Sequence, residues 1–293
     1  MFIHPSAGFQ RVSGNHQGNP VNAPGTVITA GASNADGSWT QLTFTELSPS
    51  GSAAALRHDV HFIEMWISNN ISAATDTSTT IEVGVDYAGG TSYTVLVSGI
   101  QAGFISNNGM GSGSLAFRLL SLPLWIPAGS TVAVRGRNVT GSTRSVTVGM
   151  LVHGDPRNPD RWWCGQVCDT LGYNAAASGG TVVAPNASAN TLGSWVNFGS
   201  ASTHDYGAIA LSVQGATGGD TAIGGTYGVE IGVDSNQVGP RFYNSTSTGE
   251  NCTAFLTVPL IFKNFPNNVQ FMLRTLCDKA SAPGLQYAIH AIR

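Results

Sequence analysis

The feature that most constrains this chain is that its sequence repeats itself. Residues 25–39, which run from a Gly-Thr-Val-Ile-Thr segment to a Gly-Ser-Trp motif, have a counterpart in residues 180–195. Further matched positions follow in the same order, and the offset falls from 155 residues at position 25 to 137 residues at position 137. They include the following pairs: Trp39 with Trp195, His58-Asp59 with His204-Asp205, Glu82–Asp86 with Glu230–Asp234, and Arg137 with Arg274. A constant order with a drifting offset is what loop insertions and deletions leave after a tandem duplication, so two copies of one unit are predicted.

Each copy has the residue pattern of a strand-only unit. Apolar and polar residues alternate over 80–87 and 131–137, as in strands with one buried face. Residues 60–67, 116–125 and 146–152 are more continuously apolar, as strands buried on both faces are. No segment keeps a helical apolar period over three turns. About eight antiparallel strands per copy predict an all-β fold of two tandem jelly-roll-like β-sandwich domains.

The composition favours β structure and argues against several classes of partner. Charged residues make up 10% of the chain, against roughly 25% in typical soluble proteins. Glycine accounts for 37 of the 293 residues, which is typical of a protein rich in turns. A net charge of −3 gives no electrostatic basis for gripping nucleic acid. The sequence contains no run of about eighteen apolar residues, which a membrane-spanning helix would need. We therefore expect neither nucleic acid nor a membrane as a partner.

The repeats divide the chain into four segments. Residues 25–153 and 180–293 are the two β-sandwich repeats, and 1–24 are predicted to be an extended amino-terminal arm. Residues 154–179 form a connector rich in proline, tryptophan and cysteine. The prolines within 155–161 interrupt both helices and β ladders, so this part of the connector is not expected to be regular.

The connector supplies a candidate interface. Trp162 and Trp163 are adjacent, and Arg157 and Arg161 lie just before them. Two tryptophans in a linker are costly to leave in water. We therefore expect them to dock onto a sandwich or onto a partner chain.

The best candidate metal ligands in the sequence make only a weak case for a metal site. His58-Asp59 and His61 are close in sequence, but neighbours in an extended strand point to opposite faces, and so do residues three apart. The second copy keeps His204-Asp205 but has Gly207 in place of His61, and the sequence has no second histidine cluster to complete a site. We expect no metal and no cofactor. The predicted role of these residues is structural, with the aspartate accepting hydrogen bonds from turn amides.

The four cysteines leave several alternatives open. Cys164 and Cys168 are separated by three residues, a spacing found in zinc sites, but two further ligands would be needed. Cys252 and Cys277 fall at the two ends of a predicted strand pair and could face each other across it. All four are candidates for buried thiols, and either pair is a candidate disulfide.

No arrangement of residues indicates catalysis. Glu82 and Asp86 lie on the outward face of one strand, where positions four apart are separated by roughly 13 Å. That distance is too large for a glycosidase pair, and Glu230 and Asp234 repeat it. The sequence has no nucleophile elbow, phosphate loop or dinucleotide fingerprint in its required context. We predict that the chain is not an enzyme and has no catalytic residue.

The aromatic residues allow two interpretations. Trp39 and Trp195 occupy equivalent positions, and Trp66 and Trp125 lie in the most apolar strands, so packing in the core is expected for all four. A platform that binds sugars would instead need exposed aromatic residues on loops. The loop candidates are Tyr87, Tyr93, Phe104 and Tyr173.

One stretch of sequence resembles a known class of protein. Residues 122–135, Leu-Pro-Leu-Trp-Ile-Pro-Ala-Gly-Ser-Thr-Val-Ala-Val-Arg, and the two Gly-Ser-Trp motifs resemble β-sandwich proteins encoded among the virion genes of tailed bacteriophages. The resemblance extends over most of 25–293. It implies a non-enzymatic structural protein of the virion, located on the tail or on the outside of the head as a decoration or cement protein. Its partners would be other virion proteins.

The duplication adds an expectation about assembly. A ring of three duplicated chains presents six similar units, which matches three-fold and six-fold virion symmetry. We therefore expect a homo-oligomer, either a trimer or a hexamer ring. The alternative function is a receptor- or glycan-binding module of a tail fibre.

Overall fold

The computed structural model describes residues 9–12, 25–47, 50–69, 78–102, 118–154, 163–215, 225–247, 250–255 and 260–293. The strands of domain 1 are β1 (Phe9–Val12), β2 (Thr26–Ala30), β3 (Thr40–Gln41), β4 (Phe44–Leu47), β5 (Ser50–Ala53), β6 (Phe62–Asn69), β7 (Thr79–Asp86), β8 (Thr94–Gln101), β9 (Arg118–Leu122), β10 (Thr131–Asn138) and β11 (Arg144–His153). The strands of domain 2 are β12 (Cys168–Leu171), β13 (Thr181–Val183), β14 (Val196–Asn197), β15 (Tyr206–Gln214), β16 (Gly225–Val233), β17 (Asn236–Gln237), β18 (Phe242–Ser247), β19 (Glu250–Phe255), β20 (Leu260–Phe265), β21 (Phe271–Cys277) and β22 (Leu285–Ile292). The helical structure in these ranges is a 3-10 turn at Ala175–Ala177, and none of it is long and apolar enough to span a membrane.

Both domains have the strand order of a jelly roll. Eight strands of each domain have a counterpart in the other domain, and we call them the shared strands. In domain 1, the shared strands β2, β11, β6 and β9 lie in one sheet, and β3, β10, β7 and β8 lie in the other. In domain 2 the same arrangement is β13, β22, β15 and β20 in one sheet, with β14, β21, β16 and β18 in the other. Numbered in chain order within a domain, the eight shared strands follow the order 1-8-3-6 in the first sheet, called sheet I here, and 2-7-4-5 in sheet II. Two sheets in this order, with antiparallel pairing, define a jelly roll, and the predicted fold class is confirmed.

The pairing register shows the duplication residue by residue. Ile63 lies opposite Leu122 in domain 1, and Ile209 lies opposite Ile261 in domain 2. Four residues further along the second strand, Val60 bridges Ile126 and Tyr206 pairs with Phe265. The same spacings between paired residues therefore recur in sheet I of both domains, although the residue types differ at most of these positions.

Each domain has an additional strand ahead of its first shared strand. Strand β1 pairs with the end of β11, with Phe9 opposite His153, and β12 pairs with the end of β22, with Cys168 opposite Ile292. Strand β1 comes from the predicted arm and β12 from the predicted connector. The hairpin β4–β5 extends sheet I of domain 1 beyond β1, whereas the hairpin β18–β19 extends sheet II of domain 2.

The alternating residues of the strands fill the sandwich interiors as predicted. Val83 and Val134, which face each other across β7 and β10, are fully buried in domain 1. In domain 2 the interior is more aromatic, with Tyr227, Phe271 and Tyr287 almost fully buried. Larger rings in domain 2 and aliphatic side chains in domain 1 fill the same space between two sheets.

The two cores meet at the domain junction. Ile209 and Leu211 of β15 belong to the core of domain 2, whereas the alternating residues Ala208 and Ala210 belong to the core of domain 1, together with Ile292. Strands β8 and β9 are edge strands of the two sheets of domain 1, and both contact β15. The outer face of sheet I of domain 2 therefore closes the open side of the domain 1 sandwich.

Candidate functional site

Buried hydrogen bonds join the two domains at this junction. The Gln101 N–H of β8 donates to Ser212 Oγ at 3.1 Å, and the Thr79 N–H of β7 donates to Gln214 Oε1 at 3.2 Å. Gln286 Nε2 donates to Ser78 Oγ, also at 3.1 Å. Because buried polar groups are costly when unpaired, these bonds fix the relative position of the domains more narrowly than apolar contact alone does.

His290 lies at the centre of the junction and is fully buried. Its Nδ1 is 3.2 Å from Thr170 Oγ1, and its Nε2 is 2.8 Å from Ser212 Oγ. The Thr170 hydroxyl donates to the Ser98 carbonyl, so it accepts from Nδ1–H, and Nε2 then accepts from the Ser212 hydroxyl. Every polar atom of the neutral ring is satisfied in this way. Burial lowers the pKa of His290 to about 3, so the ring is neutral near pH 7.

A compact cluster of side chains lies on the outer face of sheet II in domain 1. Arg135 Nε donates to Glu82 Oε2 at 2.8 Å, and the Arg135 guanidinium lies 4.4 Å from the centre of the Trp39 ring. Arg135 also pairs with Asp36 at 2.8 Å. The Trp39 ring covers Gly84, where an added Cβ would lie 2.7 Å from the ring. The absence of a side chain at Gly84 is therefore what lets the ring lie on the sheet.

Domain 2 repeats this cluster. Arg274 Nε donates to Glu230 Oε2 at 2.8 Å, and the Arg274 guanidinium lies 4.3 Å from the centre of the Trp195 ring, which covers Gly232. A second arginine, Arg241, also binds Glu230. Burial by itself would raise the pKa of Glu230, but the hydrogen bonds from Arg241 and Arg274 outweigh it and the pKa is lowered. The carboxylate is thus held ionised although it is only 2% exposed.

Two sequence-based expectations are corrected by these clusters. The sequence predicts Trp39 and Trp195 in the core, but they lie on the outer sheet faces, where an arginine stacks on each ring and the ring packs on a glycine. Arg274 was matched with Arg137, but the register places Arg274 opposite Glu230 as Arg135 is opposite Glu82. Arg137 lies two residues further along β10, where it binds Asp36, and its Nη1 lies 3.5 Å from the Ala175 carbonyl oxygen.

The aspartates of the two His-Asp pairs each accept a hydrogen bond from a turn amide. Asp59 Oδ1 accepts from the Ala128 N–H at 2.7 Å, and Asp205 Oδ1 accepts from the Asn267 N–H at the same distance. Each aspartate thereby fixes the turn that leads from the sixth shared strand to the seventh. His61 is buried, and none of the described residues form a group of three or more potential metal ligands.

The cysteines are free thiols where the structure describes their side chains. Cys164, Cys168 and Cys277 form no disulfide, so neither of the two candidate pairs is joined. Burial raises the pKa of all three thiols. The side chain of Cys252, in β19, lies outside the described part of the structure.

One residue of the candidate connector interface is described. Arg157, Arg161 and Trp162 lie outside the described residues. Trp163 packs on Gly207, where an added Cβ would lie 2.0 Å from its ring, and it contacts Phe262 edge-to-face at 6.2 Å. The ring is docked on domain 2 and is still 49% exposed.

The loop aromatics and strand carboxylates do not form a shared site. Tyr93 packs on Trp39 at 5.6 Å between ring centres, and Tyr173 covers Gly99 at the junction. Tyr87 is 51% exposed, whereas Phe104 lies outside the described residues. Asp86 is engaged in its own turn, where it accepts from two backbone amides. Of the remaining strand tryptophans, Trp125 is partly buried and the Trp66 side chain is not among those described.

Sequence reasoning missed the junction itself. Its signal is a set of polar residues on one face of two otherwise apolar strands: Ser212 and Gln214 in β15, and Gln286 and His290 in β22. The apolar residues between them fill the core of domain 2, so the polar ones must face another structure that satisfies them. Read in this way, the pattern predicts a buried polar interface.

Comparison with known proteins gives distant similarities. No protein-family model and no curated protein matches the sequence. Among solved structures the chain is similar to PNGF-II, with 10% identity and a TM-score of 0.39, over 98% of this chain and 65% of that one. It is also similar to the top component of cowpea mosaic virus, with 10% identity and a TM-score of 0.35, over 93% and 90% of the two chains. The STIV MCP is similar with 9% identity and a TM-score of 0.32, over 91% of this chain and 96% of that one. The chain thus spans just under two thirds of the length of PNGF-II. The jelly-roll assignment rests on the strand order and not on these similarities.

Proposed function

We propose that this chain is a non-enzymatic structural protein of a virion of the tailed-bacteriophage kind. It acts through contacts between subunits on the virion exterior, on the tail or as a decoration or cement protein of the head. Its partners are other virion proteins and further copies of itself, in a trimer or a hexamer ring.

The observation that carries this proposal is the domain junction. One jelly roll is closed by the sheet face of the next, through a shared core that includes Ala208, Ala210 and Ile292 and through buried hydrogen bonds. An interface of this kind joins folded units in series, and it needs neither a ligand nor a cofactor. The carboxylates Glu82 and Glu230 support the non-enzymatic part, because arginines hold both in ion pairs.

The test is to find the chain in the particle. Antibody-gold labelling of intact virions, followed by cryo-electron microscopy, should place it on the tail or the head surface in three-fold or six-fold arrangement. Purified virions that lack the chain, or that contain it as scattered monomers, would overturn the proposal.

One observation favours the alternative, a receptor- or glycan-binding module of a tail fibre. Tyr87 is 51% exposed on the same domain as the Trp39–Tyr93 pair. Against it, Arg135 stacks on the Trp39 ring, which a sugar would otherwise contact. A glycan array probed with the full chain separates the two functions. Specific binding lost in Tyr87→Ala supports the alternative, and no binding supports the assembly role.

A further inference from the structure

The two domains contribute unequally to the domain junction. The described core of domain 1 includes Ala208, Ala210 and Ile292, which belong to domain 2, and the partly buried Leu260 of domain 2 also packs against it. Among the described residues, the core of domain 2 contains no side chain from domain 1. Domain 1 therefore takes part of its core from its neighbour, whereas domain 2 fills its interior with its own residues.

Two hydrogen bonds across the junction are unequal in the same sense. Domain 1 contributes main-chain groups, because the N–H groups of Thr79 and Gln101 donate to side-chain oxygens of Gln214 and Ser212. A glutamine or serine side chain can rotate to bind water when its partner leaves. A main-chain N–H of a strand can turn to a new acceptor only if the strand itself moves. Separation of the domains would therefore cost domain 1 more than domain 2.

The surfaces that separation would expose differ in kind. Domain 2 contributes the outer face of its sheet I, where side chains of β15 and β22 such as Ser212 and His290 alternate with the residues of its own core. That sheet keeps its strand pairing and its core when its outer face meets water. Domain 1 contributes the edge strands β8 and β9, where the contact closes the space between its two sheets. Without that cover, water reaches the apolar interior of domain 1.

We propose that folding is coupled in one direction across the junction: domain 2 holds its fold by itself, and domain 1 is folded only while it is docked on domain 2. The junction is then a conformational device that sets whether domain 1 is assembled. It gives the molecule a defined partly open form, in which domain 1 has lost its fold and domain 2 has kept it. This inference goes beyond the proposed function and does not depend on it.

The test introduces a charge on the junction face without altering the interior of domain 2. Ala210 is 1% exposed and belongs to the core of domain 1, although it lies on the outer face of sheet I in domain 2. Because Ile63 and Ile209 are equivalent in register, Glu64 is the counterpart of Ala210 in domain 1, and a glutamate is compatible with this strand position. A buried, unpaired carboxylate is costly, so Ala210→Glu should release domain 1 and leave domain 2 folded.

Hydrogen–deuterium exchange of the full chain, followed by mass spectrometry of peptides from each domain, measures the outcome. In Ala210→Glu the amides of β6, β7 and β10 should exchange as fast as those of an unfolded chain, while β16 and β21 keep their wild-type protection. Val182→Glu is the matched control, because Val182 lies on the same face of sheet I and is 50% exposed, and it should match the wild type in both domains. If Ala210→Glu leaves both domains protected, or if domain 2 loses its protection while domain 1 keeps it, the inference is wrong.

Two core substitutions test the direction of the coupling even if Ala210→Glu unfolds the whole chain. Val83 and Ile231 are fully buried and occupy equivalent positions, each one residue after the glutamate of its domain. Both Val83→Ala and Ile231→Ala create a cavity. In urea concentrations below the main unfolding transition, Val83→Ala should increase exchange in domain 1 alone, whereas Ile231→Ala should increase it in both domains.

Any other distribution of these two effects would overturn the inference. If domain 2 also loses protection in Val83→Ala, it depends on domain 1, and if domain 1 stays protected in Ile231→Ala, it does not depend on domain 2. None of these measurements bears on whether the chain is found in virions, so the proposed function is tested separately.

Discussion

Ser212 Oγ lies 2.8 Å from His290 Nε2 and also accepts the Gln101 N–H from the other domain. One hydroxyl therefore links the central strands β15 and β22 of domain 2 to the edge strand β8 of domain 1. The arrangement suits only a neutral imidazole. A proton on Nε2 would compete with the Ser212 hydroxyl hydrogen for the same position, and it would place a charge where solvent does not reach.

This geometry predicts that acid weakens the protein through His290. The folded-state pKa of about 3 lies below the ordinary value of 6.5, so the unfolded chain binds the extra proton first as the pH falls. The free energy of unfolding should therefore decrease from about pH 6.5 down to about pH 3. Thermal unfolding of the wild type and of His290→Gln over this range measures the effect. Carboxylates titrate in this pH range in both proteins. The difference between the two plots of unfolding free energy against pH therefore isolates the histidine, and parallel plots would contradict the prediction.

Glu230 should be the most sensitive carboxylate of the described surface clusters. Replacing it with glutamine leaves Arg241 and Arg274 beside a neutral amide, with a cost of about 1.5–3 kcal/mol because hydrogen bonds to charged groups are lost. Glu64→Gln removes a more exposed pair with His153 and should cost less than about 1 kcal/mol. Urea unfolding of both variants gives the two values. Equal costs for the two variants would contradict the prediction.

The sequence predicts the strands and the duplication because both depend on local patterns. Alternation placed Val83 and Val134 in the interior, and both are fully buried. The contact between Gln101 and Ser212 joins residues 111 positions apart, and no pattern within one strand specifies it. Sequence matching pairs Arg274 with Arg137, two residues from its true counterpart Arg135, because it allows a drift in offset that β-sheet register does not.

The position of Trp39 had a signal that alternation alone does not use. A tryptophan on an outward face needs a surface on which its ring can pack. The glycine that leaves room for the ring lies two strands away, so it comes next to the tryptophan only after the sheet is assembled. The matched glycines at 84 and 232 are both followed by Val-Asp, and a buried glutamate lies two residues before each; they become informative once the register is known.

Filling either glycine should disturb its tryptophan. An alanine Cβ at Gly84 or Gly232 would approach the ring to 2.7 Å or 2.6 Å, so each substitution should cost about 1–3 kcal/mol by overpacking. Gly141→Ala is the control, since no atom lies within 4 Å of its added Cβ. Trp39→Ala removes the obstacle. Gly84→Ala should then cost less in that background, and an unchanged cost in the double-mutant cycle would contradict the contact.

Asp59 and Asp205 should contribute equally to stability, because each accepts one turn amide at 2.7 Å. Alanine at either position should lower the free energy of unfolding by about 0.5–1.5 kcal/mol, the usual value of one such bond. His204→Ala, next to Asp205 and exposed, should change it by less than about 0.5 kcal/mol. If the pairs bound a metal instead, His204→Ala would cost as much as Asp205→Ala, and zinc would raise the wild-type midpoint while a chelator lowered it. Unfolding midpoints that do not change with zinc or chelator, with a cost confined to the aspartates, are expected.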